Sequence, residues 1–185
     1  IPQDLKWDVE LARDHLNVLE RETRLASLTK PDLILWPESS TPLPARGQNS
    51  LETWIEALSA DLDLPILMGN LLETEEGDWY NGIFWVTPES GLDDDYYAKR
   101  KRVPFGEYVP LRGLFPFLDK AIPAEYDIEA GTSAKPLRIQ IDDREIRVGG
   151  LVCYEDIFGN LARETVLEGV DIFLVVTNNA WFGRE

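Results

Sequence analysis

Cysteine and histidine are nearly absent: the 185 residues contain one of each, Cys153 and His15. One cysteine excludes an intrachain disulfide, and one cysteine with one histidine cannot assemble the usual zinc ligand sets, so no metal or cofactor is expected. Positive charge is also scarce, with 18 lysines and arginines against 34 aspartates and glutamates and a net charge of -16. That balance argues against binding nucleic acid or an anionic bilayer through bulk charge. No run reaches the roughly 18 apolar residues of a spanning helix, and no signal peptide is visible at Ile1. A hydrophobic content of 44% fills one sizeable core, so one domain over residues 1–185 is expected. Ile1-Pro2-Gln3 reads as the exit of a preceding element and the chain stops in a loop-like stretch, the pattern expected of a fragment of a longer protein.

Residues 8–27 place Val9, Leu11, Leu16, Leu19 and Leu25 among charges without Pro or Gly, which predicts a surface helix with one buried stripe. His15 lies inside it and reads as solvated or locally packed. Trp7 can staple the helix entry or line a pocket mouth. Residues 32–36 form a short apolar strand halted by Pro37, with Glu38 just beyond it. A second helix is predicted over 50–60 and a buried strand over 64–69, giving βαβ connectivity. Residues 79–87 and 96–99 read as a hairpin, with 88–95 as its turn and Asp93, Asp94 and Asp95 as solvated turn charges. In the basic run, Arg100, Lys101 and Arg102 read as a solvated patch, whereas Lys99 closes a strand. Residues 111–130 are irregular, and Phe115 and Phe117 lie in an apolar loop suited to covering a site or meeting another surface. A second hairpin, 137–141 with 146–152, leads to Cys153; a helix over 157–167 and a buried strand over 171–177 follow.

Cys153 stands where Val148-Gly149-Gly150-Leu151-Val152 turns into Tyr154-Glu155-Asp156. A thiol at a strand's carboxyl end, with a helix opening just after it, meets N–H groups that favour a thiolate. The ordinary fate of a lone cysteine is burial as a small hydrophobe, and this stretch alone fits that as well. Glu38, Lys99 and Cys153 each stand at or near a strand end in separate segments. Their types suit acyl chemistry: a thiol to attack, a carboxylate to move protons and an ammonium to stabilise an oxyanion.

Leu35-Trp36-Pro37-Glu38, Tyr97-Ala98-Lys99 and Leu151-Val152-Cys153-Tyr154-Glu155 together resemble the nitrilase superfamily of carbon-nitrogen hydrolases, in the same chain order. Ile1 to Trp7, Val103 to Leu111 and Asn178 to Gly183 resemble, within it, the apolipoprotein N-acyltransferase family. The resemblance implies a four-layer αββα sandwich. It also implies ping-pong transfer of a fatty acyl group from a phospholipid, through a cysteine thioester, to the amine of a lipoprotein's diacylglyceryl-cysteine. Carried over, Cys153 is the nucleophile, Glu38 the general base and Lys99 the oxyanion stabiliser; Glu107 supports the lysine, and Tyr154 and Glu155 shape the pocket beside the thiol. Members of the family carry membrane helices on both sides of this domain, which implies the bacterial inner membrane, with the domain on the periplasmic side. The domain's first strand would precede Ile1 and further strands would follow Glu185. The alternatives are a soluble nitrilase-type amidase and a catalytically dead domain kept for protein contacts.

Overall fold

Alternating apolar side chains decide which face each strand presents. The computed structural model describes residues 9–46, 49–110, 127–141 and 143–178. Its first sheet runs in the order β1-β2-β3-β4, with β5 beside β3. The strands are β1 (Ile34–Trp36), β2 (Ile66–Glu73), β3 (Trp79–Thr87), β4 (Gly91–Ala98) and β5 (Ile128–Glu129). β1 and β2 pair in parallel through the crossover helix α2 (Asn49–Leu62), as the βαβ pattern predicted. On one face Ile66, Met68, Phe84 and Val86 join Leu51, Ile55 and Leu58 of α2, with Leu16 and Leu19 of α1 (Val9–Ser27) packed against them. Trp36 Nε1 donates to Thr23 Oγ1 at 3.0 Å in buried surroundings, fixing α1 over β1.

The opposite face presents Leu67, Ile83, Trp85 and Tyr97 to the second sheet, β6 (Leu137–Ile141), β7 (Arg144–Val152) and β8 (Ile172–Val176). There they meet Ile139, Val148 and Val152, all fully buried. Each such side chain contributes about 1.5–3 kcal/mol. β6 and β7 form the predicted hairpin, and β7 pairs in parallel with β8 through α3 (Gly159–Leu167). Two glycines set the layer spacing: a Cβ on Gly150 would stand 2.8 Å from Ile83 Cδ1, and one on Gly149 would stand 2.7 Å from Thr165 Cγ2 of α3. Helices, sheet, sheet and helix thus stack as the expected four-layer αββα sandwich.

Four local expectations are corrected. β4 begins at Gly91, so Asp93 to Asp95 lie in a strand; β4 ends the sheet order, and charges are tolerated on such an edge. β2 continues past Gly69 to Glu73 because Tyr80 and Trp79 of β3 extend the ladder. The segment after Cys153 is a 3-10 turn, Cys153–Ile157, interrupted at Phe158 before α3. β8 is not buried: Ile172, Phe173 and Val175 are 47%, 38% and 44% exposed, because β8 pairs only with β7 among the described residues. An apolar groove of about 400 Å³, lined by Leu33, Leu35, Ile146, Ile172 and Phe173 among others, opens between the β1 and β8 edges, at the strand ends opposite the thiol.

Candidate active site

The three strand-end residues converge. Pro37 cannot continue the β1 ladder, and Glu38 turns inward there with 6% exposure while Ser39 takes a positive φ of 46°. Glu38 Oε1 accepts from Asn81 Nδ2 at 2.9 Å and Oε2 from the Asn178 backbone N at 3.0 Å. Lys99 follows β4 and is 1% exposed; its backbone is held by Asn81 O and Gly131 N, each at 2.8 Å. Its Nζ lies 2.7 Å from Glu107 Oε1 and 3.9 Å from Glu38 Oε1. Glu107 is fixed by a tight turn in which its Oε2 accepts from Val103 N at 2.8 Å.

Cys153 opens the 3-10 turn with φ 51°, a left-handed conformation that costs a non-glycine residue of order 1–3 kcal/mol. Burial pushes the thiol up, the nearby Glu38 charge and a hydrogen bond to that carboxylate push it the same way, and a hydrogen bond to Thr177 and the Lys99 charge pull it down. The net direction is upward, opposite to the thiolate-favouring direction expected from a helix N-terminus, and the segment that opens at Cys153 is a 3-10 turn and not an α-helix.

A profile of the carbon-nitrogen hydrolase family matches residues 6–185. The chain belongs to the carbon-nitrogen hydrolase family. It is 32% identical over 191 residues to the apolipoprotein N-acyltransferase of Geobacter metallireducens, covering 100% of this chain and 35% of that protein. The corresponding protein of Azotobacter vinelandii is 31% identical over 191 residues, covering 99% of this chain and 35% of its own length. The chain therefore spans about a third of the curated relatives it matches. Among solved structures, the amidase from Nesterenkonia sp. AN1 superposes with a TM-score of 0.63 at 15% identity, covering 90% of this chain and 61% of that one. A carbon-nitrogen hydrolase from Helicobacter pylori gives 0.61 at 14% identity, covering 91% and 54%. At those identities the likeness is one of fold.

Within this chain the remaining sequence-predicted residues are placed unevenly. Glu155 is fully buried, and its carboxylate accepts from Tyr97 Oη at 2.8 Å and from the backbone N of Arg100, Lys101 and Val152 at 2.7, 2.9 and 2.9 Å. The buried Tyr97 hydroxyl is pushed up by desolvation and by that carboxylate. Tyr154 is partly exposed and meets the Phe158 ring edge-on at 5.0 Å. Trp7, Phe115 and Phe117 lie outside the described residues. Sequence reasoning missed Asn81, which is 4% exposed and whose amide also donates to Glu107 Oε1 at 3.2 Å. An asparagine inside the aromatic, β-branched run of β3 was the available signal, since a buried polar group needs partners. Among the described residues no group of histidines, cysteines and carboxylates could hold a metal ion. A thiol, a carboxylate and an ammonium brought together in this way can support nucleophilic acyl chemistry.

Proposed function

We propose that the protein is an N-acyltransferase that moves a fatty acyl group from a phospholipid, through a thioester on Cys153, to the amine of a lipoprotein's diacylglyceryl-cysteine. The observation that carries this reading is similarity to apolipoprotein N-acyltransferases along the whole chain. The clustering of Glu38, Lys99 and Cys153 supports it. Because the thiol is pushed up, a base must take its proton during attack, and Glu38 is hydrogen-bonded to it. The sulfur attacks the ester carbonyl carbon while Glu38 accepts the proton, and the oxyanion forms beside the Lys99 ammonium. The ester C–O bond then breaks, Glu38 returns the proton to the departing oxygen, and lysophospholipid leaves a thioester behind. The acceptor amine attacks that thioester, its proton passes to Glu38, and the departing sulfur recovers it. Glu107 holds the lysine in this scheme, and Trp7, Phe115 and Phe117 are proposed to contact the lipid. The proposed action is at the bacterial inner membrane, with this domain on its periplasmic side. Among the described residues no helix is long and apolar enough to cross a membrane.

The test uses the full-length protein in liposomes. Mass spectrometry of the Cys153 peptide should find an acyl adduct, with lysophospholipid released before any acceptor is added, and neither should occur in Cys153→Ala. If phospholipid leaves the thiol unmodified while a short amide is hydrolysed with steady turnover, the amidase reading prevails.

A further inference from the structure

The residue beside Lys99 is not the solvated cation expected of a basic run. The Arg100 side chain is only 8% exposed, and all three guanidinium nitrogens are engaged. Nε donates to Tyr97 Oη at 3.3 Å, Nη1 to Glu164 Oε2 at 2.9 Å, and Nη2 to both Leu161 O at 3.1 Å and Thr165 Oγ1 at 2.9 Å. Three of these partners belong to α3, on the far side of the second sheet from α1 and α2. Ordering such a side chain costs about 1.5–2 kcal/mol of rotamer entropy. The grip sits next to the reacting groups: Arg100 N donates to Glu155 Oε1 at 2.7 Å, and Glu155 Oε2 accepts from Val152 N, the residue before Cys153, at 2.9 Å. The end of β4, the cysteine turn and α3 are thereby joined through one arginine and one buried glutamate.

We propose that Arg100 is a positioning residue: by gripping α3 it fixes the end of β4, and with it the Lys99 ammonium, against the turn that carries Cys153. This rests on the acyl chemistry proposed above, but its test reads the thiol directly and needs no acyl donor. The groups that face the thiol are Glu38 from the end of β1, Lys99 from the end of β4 and Thr177 from the end of β8, with Glu107 paired to the lysine behind them. Loosening Lys99 removes a charge that pulls the thiol down, so the pH midpoint of Cys153 alkylation should rise.

The experiment follows iodoacetamide alkylation of the Cys153 peptide against pH in the full-length protein, alongside the rate of acylation by phospholipid. Arg100→Lys keeps the charge and loses the fork, Thr165→Val removes one acceptor without changing shape, and Arg147→Gln breaks the surface clamp to Asp171, whose bond is 2.9 Å, as a purely structural comparator. Arg100→Lys should raise the midpoint and slow acylation roughly ten- to hundredfold, the cost expected of misplacing a reacting group by about 1 Å. Thr165→Val should move both in the same direction by less, and Arg147→Gln should lower Tm with the midpoint in place. If Arg100→Lys does not fold, the Thr165→Val shift carries the test. A midpoint unchanged in the folded variants, with only Tm reduced, overturns the proposal. Failure of the unsubstituted protein to be acylated would overturn the proposed function and leave the midpoint comparison intact.

Discussion

At Cys153, burial and the Glu38 charge push the thiol up while Lys99 pulls it down. Two substitutions therefore move it in opposite directions. Glu38→Gln removes the carboxylate, so the thiolate should form at lower pH and alkylation at pH 7 should quicken, even though acyl transfer is lost. Below the midpoint, each unit by which it falls raises the thiolate fraction about tenfold. Lys99→Met should shift the alkylation profile to higher pH. Equal profiles in the two variants would mean that neither charge reaches the sulfur. Lys99→Arg should be nearly as damaging to turnover as Lys99→Ala, since a planar guanidinium cannot sit in a slot that is 1% exposed and shaped for an ammonium; retained turnover would remove the lysine from the scheme. The strand-end placement of all three residues was legible because each closes an apolar run and carries distinctive neighbours. Arg100 was not, because three of its four acceptors lie on a helix 61 or more residues further on, and a basic run carries no sign of them.

Between elements, the close approach of β2 to the end of β1 governs Glu38. A Cβ on Gly69 would stand 2.7 Å from Glu38 Cα and 2.9 Å from Pro37 O, both backbone atoms that no rotamer change can move aside. Gly69→Ala should therefore displace the carboxylate and cut acylation on the order of tenfold or more. Gly149→Ala meets Thr165 Cγ2 at 2.7 Å instead, a side-chain contact with α3. It should destabilise by about 1–3 kcal/mol through overpacking, with a smaller loss of rate per degree of Tm. Paired rate and thermal-denaturation measurements separate the two; equal rate losses at equal Tm would show that Gly69 serves packing alone. The strands themselves were readable from period-two alternation and from turn residues. β4 was cut short because Asp93, Asp94 and Asp95 are all exposed, erasing the alternation; what holds them in the strand is the antiparallel pairing of β4 with β3 and an ion pair from Arg46 to Asp94 at 3.2 Å.

Over the whole molecule, the acidic surface and the apolar edges are distributed differently. A net charge of -16 resists self-association in general, yet Leu35 on β1 and Ile172 and Phe173 on β8 remain 55%, 47% and 38% exposed around the groove. The sequence made β8 look like a buried strand because an apolar run shows that its side chains suit burial, not which elements cover them. Exposed apolar surface beside β1 and β8, which end their sheets among the described residues, attracts hydrophobic probes and further strands. Residues 1–185 expressed alone should accordingly bind a hydrophobic dye such as ANS at neutral pH while retaining a cooperative thermal transition. Ile172→Thr with Phe173→Ser should reduce that binding severalfold and leave the alkylation profile of Cys153 in place, since the groove lies at the strand ends away from the thiol. Raising salt to about 1 M, where screening acts over only about 3 Å, should increase association of the unsubstituted chain by muting its self-repulsion, and should do so far less in the double variant. Dye binding that persists undiminished in the double variant would place the exposed apolar surface elsewhere on the molecule.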